Sequence, residues 1–175
     1  MLFRSFPGRI EAILARGGKV VVVDPRRSET AQKSSEWLPI IPNGDGLFLA
    51  AIANVLFAEG LVNPGAHVSP YLDGLDATRV AVARFTPEAV AAGCGIDAAT
   101  IRRIARELAA APTAAVYGRI GTTTTSFGAT TSWLVDVVNT LTGNLDREGG
   151  AMFTDRKSTR LNSSHVSESR MPSSA

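Results

Sequence analysis

Apolar residues occur along the chain in short blocks whose spacing changes from one block to the next. In FPGRIEAILARGG, residues 6–18, Ile10, Ile13 and Leu14 recur at helical spacing, Pro7 stands near the start and Gly17 and Gly18 supply a stop, so the segment predicts a helix. The four valines that follow predict a strand over Lys19 to Val23, with the continuous apolar run of a strand covered on both faces. Trp37 to Ile41 predicts a second short strand. From Gly46 to Glu59 the chain is apolar almost all round, which predicts a buried helix with Asp45 as its N-cap and Gly60 as its stop. Residues 61–85 show no period. IDAATIRRIARELAAAP places Ile101, Ile104, Ala105, Leu108 and Ala109 on one face and predicts a helix capped by Asp97 and ended by Pro112. Thr113 to Tyr117 predicts a third strand, GRIGTTTTSFGATT a polar loop, and SWLVDVVNTLTG a last helix closed by Gly143. Helices alternating with strands in this order predict an α/β layering with a mostly parallel sheet.

Composition narrows the partners. The chain has 175 residues, 45% of them hydrophobic, enough for one ordinary core. The formal charge is +2 and the pI about 9.0, but residues 1–154 hold 14 basic and 14 acidic side chains, so the excess sits wholly in residues 155–175. The body is neutral and shows no basic stripe with interleaved aromatics, which argues against nucleic acid. DRKSTRLNSSHVSESRMPSSA, residues 155–175, has seven serines and no periodicity, the composition of a disordered tail. Asp155 to His165 also back-translates into a sequencing-library adapter, so we expect the tail to be translated adapter and the natural sequence to run to about Thr154. The longest apolar run, LFLAAIANVLFAEG, is too short and interrupted to cross a bilayer, so no membrane insertion is expected of this segment. Cys94 is the single cysteine, and neither His67 nor His165 has ligand spacing to anything; no catalytic residue and no metal ligand is expected here.

The polar chemistry gathers just after the apolar blocks. In open α/β sheets ligands bind beyond the carboxyl ends of the strands, where three loops fall: DPRR after the first strand, PNGDG after the second and GRIGTTTTSFG after the third. Asp24 is placed to accept from ribose hydroxyls, or else simply follows the strand that Pro25 ends. Arg26 and Arg27 offer planar forks for phosphate or a surface for a base, or are solvated. Asp45 is placed to accept from the Watson–Crick edge of guanine, or only caps its helix. Gly118 and Gly121 let backbone amides approach a pyrophosphate, with threonine hydroxyls and a helix N-terminus as further donors.

VVVVDPRRSETA, LPIIPNGDGLFLAAIANVLF, CGIDAATIRRIARELA, YGRIGTTTTSFG and NTLTGNLDREGGAMF resemble, in order and spacing, the molybdopterin oxidoreductases of the dimethyl sulfoxide reductase family, which includes formate dehydrogenases and nitrate reductases. The resemblance covers residues 1–154. It implies a partial three-layer nucleotide-binding-like fold, truncated at both ends, from the middle of the large subunit. It also implies two pterin guanine dinucleotides per molybdenum or tungsten in the parent, and a 4Fe-4S cluster outside this segment. The cofactor-binding residues it implies are Asp24, Pro25 and Arg26 at the first strand tip, Asn43, Gly44 and Asp45 in the second loop, and Gly118, Arg119, Gly121 and Thr124 on the pterin side. Asn43-Gly44 stands where Gly-Thr is usual, and Ser34-Ser35 where Ala-Asp is common.

The implied parent carries out two-electron redox or oxygen-atom transfer on a small substrate. Its implied partners are the rest of the large subunit and an iron–sulfur electron-transfer subunit, in the bacterial cytoplasm or a periplasm reached by twin-arginine export. Two other readings stay open: a stand-alone nucleotide-binding module, and a non-functional truncated reading frame.

Overall fold

The computed structural model describes residues 6–151. The tail and Met152 to Thr154 lie outside that range. The elements run α1 (Phe6–Ala15), β1 (Val21–Val23), α2 (Glu29–Lys33), β2 (Glu36–Leu38), α3 (Asp45–Ala58), a 3-10 turn (Ser69–Tyr71), α4 (Leu75–Val82), α5 (Pro87–Cys94), α6 (Ala98–Ala110), α7 (Ile120–Thr123) and α8 (Gly128–Leu141). The molecule is mixed α/β, mostly helical, around one small parallel sheet in which Val21, Val22 and Val23 pair with Glu36, Trp37 and Leu38.

The core is built around α3. Eight of its residues, from Phe48 to Leu56, are buried, because a helix with apolar side chains on every face has nowhere to present to water. It packs against α4, α5, α6 and α8, and Val21, Val23 and Leu38 close the core from the sheet. Asn54, the polar exception within the helix, donates from Nδ2 to Val82 O and Ala83 O, each at 3.1 Å, and so satisfies the last turn of α4. Helix starts follow the expected chemistry at α6, where Asp97 accepts from Thr100 N at 2.9 Å. Thr86 does the same for α5 and Ser28 for α2.

Several expectations are corrected. The second strand is Glu36–Leu38, and Ile40 and Ile41 lie beyond it. Asp45 is not the N-cap of α3; Gly44 is, with no side-chain cap, and Asp45 is the first helical residue. Helices α4 and α7 occupy segments read as irregular or as a polar loop, α2 and α5 form where no element was expected, and α8 begins at Gly128, inside the polar loop. These helices are short or marginal in pattern, and packing holds them rather than any strong period of their own: α4 and α5 lie on α3, α2 on α1 and the sheet, and α7 on α8.

Thr113 to Tyr117 forms no strand: Thr113 lies in a bend and residues 114–117 take part in no strand pairing. Side chains of α8 and its C-terminal turn serve its backbone instead. Val116 N–H donates to Asn139 Oδ1 at 2.8 Å while Asn139 Nδ2 donates back to Val116 O at 2.8 Å, and Ala114 N–H donates to Asn144 Oδ1 at 2.9 Å. Asn139 and Asn144 are both buried. The turn that carries Asn144 is closed by Gly150, where a Cβ would stand 2.1 Å from Asn144 O.

The end of the sheet remote from the strand tips is tied by charge. Lys19 Nζ lies 2.9 Å from Glu36 and 2.7 Å from Glu107, and Arg103 bridges the same two carboxylates. Burial pushes Glu36 up, but hydrogen bonds from Lys19 and Arg103 outweigh it and hold its carboxyl below the ordinary value; Glu107, bonded to Lys19, is also held low.

Two predictions follow from these contacts. Asn139→Ala leaves Val116 without its amide partner and should cost about 2–3 kcal/mol in urea unfolding at neutral pH; a change within about 0.5 kcal/mol would mean water replaces the amide at no cost. Because Glu36 and Glu107 are depressed in the fold, their contribution is present above their unfolded value of about 4.5 and is lost as pH falls through the lower folded values. Glu36→Gln should therefore lower the melting temperature at pH 7 and make little difference near pH 3.

Candidate functional site at the strand tips

Pro25 ends β1 and the backbone turns at once. Asp24 shapes that turn: its Oδ1 accepts from Arg26 N–H at 2.7 Å, the side-chain-to-backbone bond that makes Asp common in such turns. Its carbonyl accepts from Trp37 Nε1 at 2.9 Å, so the β2 tryptophan fixes the tip of β1. Arg27 lies over the same indole, 5.9 Å from the ring centre, within cation–π range. Arg26 is exposed, and its guanidinium bonds no described residue.

The second loop is fixed from below. Ile41 N–H donates to Cys94 O and Gly44 N–H to Ile41 O, both at 2.8 Å. A Cβ on Gly44 would meet Cys94 Cα at 2.8 Å, so the loop sits directly on the end of α5 and only glycine fits. Cys94 is thereby a fully buried packing residue at the end of α5. Asn43 next to it takes a left-handed backbone, φ 69°, which asparagine tolerates better than most residues. Together these deliver Asp45 to the rim, at the start of α3. Burial raises the Asp45 carboxyl above its ordinary 3.8, and the nearby charge of Asp24 raises it further.

Asp45 and Gly118 line one cleft of about 490 Å³, whose walls also include Val23, Tyr117 and Thr122 and whose floor is Phe48, Leu49 and Ile104. Asp24 follows Val23 at its edge. The remaining candidates of the third loop, Arg119, Gly121 and Thr124, are exposed around α7 outside that lining. The threonine hydroxyls there already donate locally: Thr122 to Arg119 O at 2.6 Å, Thr123 and Thr124 to Ile120 O at 3.1 and 2.8 Å. Their hydrogens are spent on α7, as are the Thr122 and Thr124 amides, which donate to Arg119 O and Ile120 O at 2.9 and 3.0 Å, so Arg119 is the loop's side-chain donor. Trp37, Tyr117 and Thr122 were missed from sequence. Trp37 alone had a signal, an aromatic residue starting a strand beside a tip with two arginines.

Among the described residues there is no cluster of three or more His, Cys, Asp or Glu able to hold a metal, and no helix is long and apolar enough to cross a membrane. The rim offers carboxylate acceptors, guanidinium donors and an indole face, a set that suits the nucleotide end of a cofactor.

No protein-family model matches the chain. The thiosulfate reductase molybdopterin-containing subunit PhsA of Salmonella typhimurium is 37% identical over 136 residues, covering 77% of this chain and 18% of that protein. The arsenate respiratory reductase molybdopterin-containing subunit ArrA of Chrysiogenes arsenatis is 34% identical over 166 residues, covering 81% of this chain and 19% of that protein. Among solved structures, acetylene hydratase from Pelobacter acetylenicus superposes with a TM-score of 0.70 at 26% identity, over 76% of this chain and 18% of that one. The chain therefore spans about a fifth of the length of the curated relatives it matches.

The closeness of the two carboxylates is open to direct test. Removing the Asp24 charge with Asp24→Ala should lower the pH at which Asp45 titrates in a carbon-detected NMR titration; an unmoved Asp45 midpoint would show that burial acts alone.

Proposed function

We propose, from the premise that this chain belongs to the molybdopterin oxidoreductases of the dimethyl sulfoxide reductase family, that its strand tips hold the guanosine and pyrophosphate end of a pterin guanine dinucleotide. The observation that carries this reading is the meeting of Asp24 and Asp45 at one rim, with Asp45 half-buried at the head of α3. A guanine base presents two adjacent N–H donors on its Watson–Crick edge, and one carboxylate accepts both; adenine presents an acceptor there and is repelled.

In this reading Asp45 takes the base edge. Asp24, held by Arg26 N–H and by the Trp37 indole, takes the ribose hydroxyls. Pro25 keeps the turn short, and Arg26 and Arg119 supply charge-assisted hydrogen bonds to phosphate oxygens. Asn43 and Gly44 set the loop height that brings Asp45 forward, and Gly118, Gly121 and Thr124 lie on the pterin side.

The printed activities of the relatives support a shared cofactor role over a substrate role. Thiosulfate reduction, arsenate reduction and acetylene hydration have no substrate in common, so a segment similar to all three is better suited to what they hold than to what they transform. When bound, the cofactor carries the metal centre at which a small substrate undergoes two-electron or oxygen-atom transfer; the residues described here bind and orient. The proposed whole protein is a large subunit with two such dinucleotides per molybdenum or tungsten, a 4Fe-4S cluster elsewhere in the chain, and an iron–sulfur partner.

Titration of the chain with GMP and AMP, followed by amide NMR, tests the reading. GMP should perturb Asp24, Arg26, Asp45 and Gly118, bind more tightly than AMP by about tenfold, and bind better as pH rises through the Asp45 value, since the ionised carboxylate is the acceptor. Asp45→Ala should abolish the preference. Equal binding of the two nucleotides, or shifts confined to other surfaces, would overturn it.

A further inference from the structure

Of the six asparagines in the chain, Asn43 alone is followed by glycine. Glycine has no Cβ, so its nitrogen is the least shielded neighbour that an asparagine side chain can have. Asn43 is exposed, and its side-chain amide bonds no described residue. Gly44 is its opposite. It is buried against Cys94, its N–H donates to Ile41 O at 2.8 Å and its carbonyl accepts from Phe48 N–H at 2.9 Å. The pair stands where the resembled family usually has Gly-Thr, so its chemistry belongs to this chain and not to the family pattern.

The turn keeps the two groups apart. Residues 41–44 form a β-turn closed by the Gly44–Ile41 bond, with Pro42 second and Asn43 third at φ 69°. That is the form of a type II turn, whose third residue has ψ of about 0°. For Gly44 N to reach Asn43 Cγ, the Cγ, Cβ, Cα and carbonyl carbon of Asn43 must come close to one plane with that nitrogen. The peptide between residues 43 and 44 then has to rotate, which breaks the Gly44–Ile41 bond and lifts Gly44 from Cys94. The far side of the turn is fixed as well. Ile41 N–H donates to Cys94 O at 2.8 Å, and a Cβ on Gly95 would meet Ile41 Cγ1 at 2.8 Å.

We infer that Asn43 is a self-modifying site, at which Gly44 N displaces the Asn43 side-chain amide, and that release of the 41–44 turn from the end of α5 is its gate. The Gly44 nitrogen gives up its proton and bonds to Asn43 Cγ. The Cγ–Nδ2 bond breaks, and the amide nitrogen takes up that proton and leaves as ammonia. The cyclic imide then adds a water, which opens it to an aspartate or to an aspartate linked through its side chain. No electrons are exchanged, and water is the co-reactant. The side-chain-linked product adds a methylene to the main chain directly ahead of Gly44, which has no room to absorb it, since even a Cβ there would stand 2.8 Å from Cys94 Cα. Asp45 is displaced in consequence. Either product also brings a new carboxylate to the loop that carries Asp45. The chemistry is independent of which nucleotide binds at the rim.

The test incubates the 175-residue chain in mildly alkaline buffer, with and without urea, and follows each asparagine peptide by mass spectrometry. Hydrogen exchange of the Gly44 amide is measured under the same two conditions. In urea, Asn43 should convert ahead of every other asparagine. Folding should slow that conversion by at least about tenfold, and by the factor by which it slows Gly44 exchange to within about threefold, because both need the same bond to open. Gly95→Ala crowds Ile41 at a position of φ 78°, so it should raise both rates together. Asn43→Gly suits the left-handed turn position. It should abolish the mass change at residue 43 and keep the Asp45 titration midpoint constant on storage, whereas in the unchanged chain that midpoint rises as the new carboxylate accumulates. Equal conversion with and without urea, faster conversion of another asparagine in urea, or a Gly95→Ala chain in which one rate rises without the other would each overturn the inference.

Discussion

The structure depends on the enclosure of α3. Its buried residues run from Phe48 to Leu56 without a polar stripe, so the helix gains from burial only if it is covered on every side. Four helices and the sheet meet that demand. The small residues Ala50, Ala51 and Ala53 let neighbours come close, and Gly46, where a Cβ would stand 3.1 Å from Thr131 Oγ1, does the same at the first turn against α8. A core organised this way is helical in mass, although the sequence pattern reads as alternating helix and strand.

The same packing positions the chemistry. Because α3 is clamped along its length, its first residue, Asp45, cannot retreat into solvent, and the Gly44 contact with the end of α5 sets how far it reaches. On the sheet side, Asp24 is held by its own turn and by Trp37. The two carboxylates are thus held at one rim by separate parts of the fold, and the Asp45 carboxyl is raised first by its burial and further by the charge of Asp24. Ion pairing at the far end of β1 and β2, through Lys19, Glu36, Arg103 and Glu107, anchors the opposite end of the ribbon.

Legibility from sequence followed the strength of local signals. The valine run, the all-apolar α3 and the amphipathic α6 with its Asp97 cap were readable because each pattern has one physical interpretation. The short helices α2, α4, α5 and α7 were not, since four to eight residues carry too few turns for periodicity to be distinguished from a loop. Asp24 and Asp45 were identifiable as polar residues directly after apolar runs, but their approach to each other was not, because no spacing in sequence encodes it. The threonines of the third loop misled in a specific way: their composition suggested free donors, while α7 formation consumes the hydroxyl hydrogens.

Thr113 to Tyr117 shows most plainly why a strand pattern and a strand can part. Its residues have the sequence of a strand, yet a strand is defined by its neighbours. On one side Asn139 and Asn144 reproduce the donors and acceptors that a neighbouring strand would present, and because amide side chains need not match a repeating register, they fix the segment without a ladder. A buried asparagine is costly unless fully bonded, so the two asparagines and the extended segment hold each other in place. The side facing β1 has no such substitute, and the cleft floor there is apolar. An open edge above apolar side chains is unfavourable in water, and this one borders the cleft whose rim carries Asp45.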